Sequence, residues 1–281
     1  MRTLGTLAEL AYFRANTPSP VVLVPTMGAL HGGHAALIDA ARIRAGAGGT
    51  VIVSIFVNPT QFAPHEDLTK YPRPFDADLS LCSAHGADAV FAPTVPEMYP
   101  TGDSTFVDET MLSRGLCGAR RPGHFRGVCT VVTKLFNLTR PDSAVFGEKD
   151  FQQLAVIRRM TRDLFLGLEI IGHPTVRETD GLAMSSRNRY LAPEERQRAT
   201  TFPAALRRAA EKSSPAEVVA TATALITQGI GSAPEYVELI NAETLEPVEH
   251  LDCPAVLAAA VKIGETRLID NVRLAARYAK I

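Results

Sequence analysis

Short apolar runs alternate with longer amphipathic stretches over most of the chain. Residues 21–24 (VVLV) precede a stretch with helical spacing, HAALIDAARIR (34–44); then come TVIVSIFV (50–57), FDADLSLCSAHG (75–86) and AVFA (89–92). Unbroken apolar runs are the mark of strands buried on both faces, and the βαβαβ order predicts a parallel sheet with helices packed on it. The first helix is expected to stop at GAGG (46–49), with Arg42 and Arg44 facing its negative end. Helical spacing returns in GVCTVVTKLFNLT (127–139) and FQQLAVIRRMTRDL (151–164), on either side of a strand-like SAVFG (143–147), and LEIIG (168–172) closes the series. After His173 and Pro174 the texture changes to a polar loop (177–191), an Ala/Arg/Glu-rich helical region (193–229) and two strand-like pieces, 235–243 and 255–263. We therefore expect an α/β domain over 1–175 and a smaller α+β domain over 176–281.

Composition narrows the function classes. With 281 residues and 46% hydrophobic content the chain can bury a large core. Lys plus Arg number 29 against 30 for Asp plus Glu, so no broad basic surface for nucleic acid or an anionic membrane is expected. The first twenty residues lack an apolar signal core, and no apolar run approaches the roughly 20 residues that span a bilayer; the expectation is a cytoplasmic protein. Cys82, Cys117, Cys129 and Cys253 form no CxxC pair, which predicts free, apolar cysteines in place of a disulfide framework or a zinc site.

Candidate chemistry sits in the loops after the strands, where open parallel sheets bind ligands. PTMGALHGGH (25–34) follows the first run. Against the GxxxxGK[ST] phosphate-loop pattern, Gly28 and Gly33 fall at the right spacing, but His34 takes the lysine place and Ala35 the hydroxyl place. What remains is a glycine-rich strand-to-helix turn whose N–H groups suit a phosphate, with His31 and His34 on one helical face. A metal site would need a third ligand at a regular spacing and none is expected; plain cap or turn histidines stay open. NPTQF (58–62) offers Asn58 and Gln61, GEKDFQQ (147–153) offers Lys149 between two carboxylates, and MSSRN (184–188) offers two hydroxyls and a guanidinium. RGLCGARRPGHFRG (114–127) places four arginines and His124 in one loop, which reads equally well as a mobile basic surface.

Taken together, PTMGALHGGH, SIFVNPTQF, YPRPFDAD, RPGHFRGV, FGEKDFQQL and MSSRN resemble, in order and interval, the motif series of the pantothenate synthetases, with TRLIDN (266–271) as a weaker echo. The resemblance implies a Rossmann-like domain for nucleotide and pantoate, and a second domain that closes over ATP. It implies AMP-forming ligation of (R)-pantoate to β-alanine through pantoyl adenylate, with Mg²⁺ held mainly by the phosphates, in a homodimer. It assigns ATP to Met27, Gly28, Ala29, Leu30, His31, Gly32, Gly33 and His34, to Gly147, Glu148, Lys149 and Asp150, and to Val176, Met184, Ser185, Ser186 and Arg187. It assigns pantoate to Gln61, Gln153 and Asn58, β-alanine to Gln61, and the chemistry to His34, His31 and Lys149. HxGH alone fits other adenylyl or cytidylyl transferases, which are the alternative.

Overall fold

Each long apolar run becomes a strand. In chain order the first part of the molecule holds β1 (Arg2–Leu4), α1 (Leu7–Ala15), β2 (Val21–Thr26), α2 (Gly32–Ala45), β3 (Thr50–Ile55), α3 (Phe75–Ala84), β4 (Ala89–Phe91), α4 (Val95–Met98), α5 (Leu116–Arg120), α6 (His124–Thr139), β5 (Ser143–Gly147), α7 (Phe151–Asp163) and β6 (Glu169–His173). There follow α8 (Pro193–Ala199), α9 (Thr201–Ala209), α10 (Pro215–Ile230), β7 (Tyr236–Asn241), β8 (Ala255–Ile263) and β9 (Thr266–Leu274). The structure, a computed structural model, describes residues 1–63 and 66–276. The chain divides into two units, Met1–Glu148 with Gln153–Pro174, and Lys149–Gln152 with the chain from Thr175 onward.

The first unit is a six-stranded parallel sheet in the order β1-β4-β3-β2-β5-β6. Val22, Val24, Val51, Val53, Val90 and Val145 face Ile38, Ala41 and Ala45 of α2 and Cys82 of α3, forming one core layer. Strand side chains alternate between faces, so Val21, Leu23, Ile52 and Phe91, equally buried, form the opposite layer, and α6 packs against β2. The chain runs outward from β2 through β3 to β4, then returns to β2's other side with β5. That reversal between β2 and β5 is the switch point at which doubly wound sheets bind ligands, outside the carboxyl ends of their strands.

The second unit pairs the antiparallel sheet β7-β8-β9 with α8, α9 and α10. Phe202 and Leu206 of α9, Ala222 and Ile226 of α10, and Leu257, Ala259 and Leu268 of the sheet share its core. The helical region breaks between α9 and α10 where the chain is re-capped at Ser214, whose hydroxyl accepts the Glu217 N–H while the Glu217 carboxylate accepts the Ser214 N–H. All four cysteines are free, and Cys82, Cys117 and Cys129 are buried. No helix among the described residues is long and apolar enough to cross a membrane.

Candidate functional site

In the first unit the turn from β2 to α2 is built around two consecutive left-handed residues, Gly28 (φ 78°) and Ala29 (φ 52°). Such a turn needs its N–H groups held. Asp78 of α3, itself buried, accepts the Ala29 N–H at 2.9 Å and the Leu30 N–H at 2.7 Å, one on each carboxylate oxygen. Thr26 Oγ1 accepts the Gly28 N–H (3.2 Å) and donates to the Ser54 carbonyl (2.7 Å). Only glycine suits position 28: a Cβ there would sit 3.0 Å from both Asp78 Oδ2 and Ile55 Cγ2.

The turn delivers both histidines to one place, though by a different route from helical i, i+3 spacing. His31 is the extended N-cap of α2 (φ −148°), outside the helix, and its Nδ1 accepts the Gly33 N–H at 3.1 Å. An accepting Nδ1 makes Nε2 the protonated, donating nitrogen of the neutral ring. His34 lies within α2, and the ring centroids are 4.2 Å apart. The first turn of α2 contains no Asp or Glu, so the helix itself places no anion at its positive end.

Beyond β3, the loop 58–61 is fixed by Asn58, 1% exposed. Its Oδ1 accepts from Tyr99 Oη (2.8 Å) and Thr60 Oγ1 (2.9 Å), while its Nδ2 donates to Gln61 Oε1 (3.0 Å) and to the Gly127 carbonyl (3.1 Å). Asn58, expected beside Gln61 as a ligand contact, thus has both amide ends engaged in the protein, one of them on Gln61. Gln61 Nε2 lies 3.0 Å from Met27 Sδ, which joins this loop to the histidine turn. Helix α6 comes so close that a Cβ on Gly127 would stand 2.7 Å from the Gln61 nitrogen, and nearer still to the Thr60 carbonyl. Burial raises the Tyr99 phenol above its ordinary range.

Part of the arginine-bearing loop turns inward. Arg121 grips Glu66 with two bonds (Nε–Oε1 2.6 Å, Nη2–Oε2 2.7 Å), donates to the Gln61 carbonyl (3.3 Å), and meets His124 Nε2 at 3.0 Å. His124 Nδ1 meets the same carbonyl at 2.8 Å. Nδ1 therefore donates and Nε2 accepts, which is a neutral imidazole. Burial opposes the Glu66 charge, but the hydrogen bonds and charge of Arg121 outweigh it and hold the carboxyl below its ordinary range. Arg114, Arg120 and Arg126 are exposed, and Arg126 stacks on Phe106 at 4.1 Å. Gly147 ends β5, followed by Glu148, and Gln153 is half-buried in the first turns of α7.

In the second unit Lys149 Nζ lies 3.5 Å from Asp150 Oδ2, a loose pair with a half-buried lysine. Residues 176–184 form a tight hairpin: Val176 accepts the Met184 N–H (3.0 Å), Leu182 accepts that of Glu178 (2.8 Å), and Arg177 bridges Ala183. It delivers Ser185, whose hydroxyl accepts the Arg187 N–H (3.2 Å) and caps a 3₁₀ turn over Ser186–Tyr190. The Arg196 guanidinium ties the hairpin to α8 through Glu178 (2.6 Å) and Asp180 (2.5 Å).

Asp78, Tyr99 and Glu66 were not expected as site residues, and Arg121 and His124 entered only as members of the loop 114–127, whose role stayed open. Asp78 and His124 belong to the quoted YPRPFDAD and RPGHFRGV motifs, the one signal that could have found them. Among the described residues no group of three His, Cys, Asp or Glu side chains is placed to hold a metal ion.

A family model described as pantoate-beta-alanine ligase matches residues 2–273. The chain is 54% identical over 261 residues to a pantothenate synthetase of Myxococcus xanthus, covering 90% of this chain and 88% of that one. It is 50% identical over 279 residues to that of Geobacter sulfurreducens, covering 96% and 98%. Among solved structures, a pantothenate synthetase from Thermus thermophilus superposes with a TM-score of 0.89 at 45% identity, over 97% of this chain and 99% of that one. A pantoate-beta-alanine ligase from Francisella tularensis, complexed with β,γ-ATP and β-alanine, gives 0.81 at 32% identity over 97% of each chain.

Proposed function

The chain belongs to the pantoate-beta-alanine ligase family, and from that premise we propose which of its residues carry the reaction. It condenses pantoate with β-alanine as an AMP-forming ligase, with ATP as the activating substrate. In the reading we favour, the pantoate carboxylate attacks the α-phosphate to give pantoyl adenylate and pyrophosphate, and the β-alanine amine then displaces AMP.

A carboxylate with a reference pKa near ~4 is already ionised at neutral pH, so the first step needs no general base. Its difficulty is bringing two anions together, and the remedy is donors aimed at the charge that develops. The observation that carries our assignment is the pair of imidazoles 4.2 Å apart at the acid-free start of α2, with His31 fixed as an Nε2–H donor. We assign the turn Met27–His34 to ATP, with His34 and His31 on the phosphates. Gly147, Glu148, Lys149, Asp150, Val176, Met184, Ser185, Ser186 and Arg187 are assigned to ATP as well. Gln61 and Gln153 take pantoate, and Gln61 also β-alanine. ATP would carry Mg²⁺ mainly on its own phosphates. The same reading makes the enzyme a cytoplasmic homodimer without a nucleic-acid partner, and light scattering at the mass of two chains would support it.

Exchange of labelled pyrophosphate into ATP tests the assignment. Exchange is expected only with pantoate present, and His34→Ala or Lys149→Ala should slow it roughly 10²- to 10³-fold, as losing one preorganised donor does. Exchange independent of pantoate would sink the adenylate route; wild-type rates in both variants would sink the residue assignment.

A further inference from the structure

Strand β9 carries the TRLIDN sequence, and two of its residues do more than complete a sheet. Asp270 and Asn271 are adjacent and buried, 2% and 8% exposed. A buried carboxylate persists only where it is paired, and Asp270 is paired twice over: Arg177 Nη1 meets its Oδ2 at 2.7 Å and Arg177 Nη2 its Oδ1 at 2.9 Å. The same guanidinium donates to the Gly181 carbonyl at 3.1 Å. One arginine on the first arm thus ties the turn of the hairpin that delivers Met184–Arg187 to β9.

Neighbouring strand residues point to opposite faces, so Asn271 reaches a different partner. Its Nδ2 donates to the Lys149 main-chain carbonyl at 3.0 Å. Arg273, two residues on and on the same face, stands over the Phe151 ring at 5.4 Å. Asp270 Oδ1 also accepts the Asn271 N–H at 2.8 Å, which couples the two holds. The face bearing Asn271 and Arg273 grips the start of 149–152, and the face bearing Asp270 grips the hairpin.

We propose that Asp270 and Asn271 are positioning residues for ATP: Asn271 sets the main chain that carries Lys149, and Asp270, through Arg177, sets the hairpin that carries Met184–Arg187. One strand then fixes the spacing of two nucleotide segments that are far apart in sequence. The inference rests on the assignment of Lys149 and Met184–Arg187 to ATP.

The test is pantoate-dependent pyrophosphate exchange by the full-length enzyme, with KM for ATP and for pantoate measured separately and thermal unfolding recorded alongside. Asn271→Ala removes the donor, and Arg177→Lys keeps the charge while losing the two-pronged grip. Each should raise KM for ATP about tenfold, the loss expected from one net charge-assisted or buried hydrogen bond, and leave KM for pantoate within about twofold. Because Asn271 acts through Lys149, the double variant Asn271→Ala/Lys149→Ala should be no slower than Lys149→Ala alone. A folded Asn271→Ala with lowered thermal stability but unchanged KM for ATP would overturn the inference, as would fully additive losses in the double variant. If Lys149→Ala itself exchanged at the wild-type rate, the ATP assignment would fall and the inference with it. A crippled Lys149→Ala beside unaffected Asn271→Ala and Arg177→Lys would overturn the inference alone.

Discussion

Asp78→Ala should damage stability and ATP use together, and the structure sets how much. The substitution leaves the Ala29 and Leu30 N–H groups without their acceptor, and Ala29 is fully buried. A buried donor stripped of its partner costs about 1–3 kcal/mol, and the Leu30 N–H is only half-buried, so the pair costs about 1–6 kcal/mol. Relief from burying an anion offsets part of this, which places the net loss in the lower half of that range. The second effect is conformational. Ala29 holds a left-handed φ of 52°, a state disfavoured by roughly 1–2 kcal/mol for a residue with a Cβ. Once the carboxylate no longer holds it, the competent turn falls to about a tenth of the population, and KM for ATP rises by the reciprocal. Asp78→Asn keeps one acceptor but turns an amide toward the other N–H, so it should lie between wild type and alanine in both respects. Urea unfolding reads the first effect and pyrophosphate exchange against ATP the second. An Asp78→Ala enzyme with wild-type stability, or with lost stability but unchanged KM for ATP, would refute the link between this carboxylate and the phosphate turn.

Gly127→Ala drives a methyl into the Thr60 carbonyl and the Gln61 nitrogen, so it should destabilise by about 1–3 kcal/mol, as overpacking does, and weaken pantoate binding more than ATP binding; equal KM values for pantoate would contradict the packing argument. The Glu66 carboxyl is held below its ordinary 4.5, so its contribution is present above that pH and disappears as the pH falls through the lowered value. Glu66→Gln should accordingly flatten the fall in urea stability between about pH 5 and 3, and an unchanged slope would count against the Arg121 pairing. Burial raises the Cys82 and Cys129 thiols from 9.0 to about 12. Their folded-state protons are retained where the unfolded chain loses them, so stability is intact below about pH 9 and declines as the pH rises toward 12. Iodoacetamide at pH 8.5 should therefore leave both unmodified in the folded protein and alkylate them in urea.

The parallel strands were legible because burial on both faces leaves unbroken apolar runs, and 21–24 and 50–57 have no other good reading. β1 was not, since its three residues owe their state to pairing with β4 along Ala89–Phe91. β9 was hidden for a more informative reason. Asp270 interrupts the apolar face of Leu268, Val272 and Leu274, and the structure uses Asp270 and its neighbour Asn271 for Arg177 and Lys149. The i, i+3 spacing put His31 on a helical face with a cap role left open; the structure makes it the N-cap, a place that histidine, outside the usual set of Ser, Thr, Asp and Asn, does not announce. Asp78, Tyr99 and His124 could not be read from spacing at all: their partners lie 49, 41 and 63 residues away, and local periodicity says nothing about which loops meet.

The first unit's site separates into two kinds of polar group, and the separation follows from their bonds. Asp78, Asn58, Arg121 and His124 all direct hydrogen bonds at main chain or at one another: the Ala29 and Leu30 N–H groups, the Gly127 carbonyl, the Gln61 carbonyl. These partners are buried or half-buried main-chain groups, so stripping one of its side-chain bond lowers stability along with activity. His31 and Gln61 are held by these or by their own backbone: His31 through Nδ1, which accepts the Gly33 N–H, and Gln61 through Oε1, which accepts from Asn58, with its amide nitrogen against Met27 Sδ, a weak acceptor. Replacing them should lower activity with little loss of stability. That division is what a site preorganised for two anions requires, because donors that had to reorganise on binding would give back much of the charge stabilisation they supply.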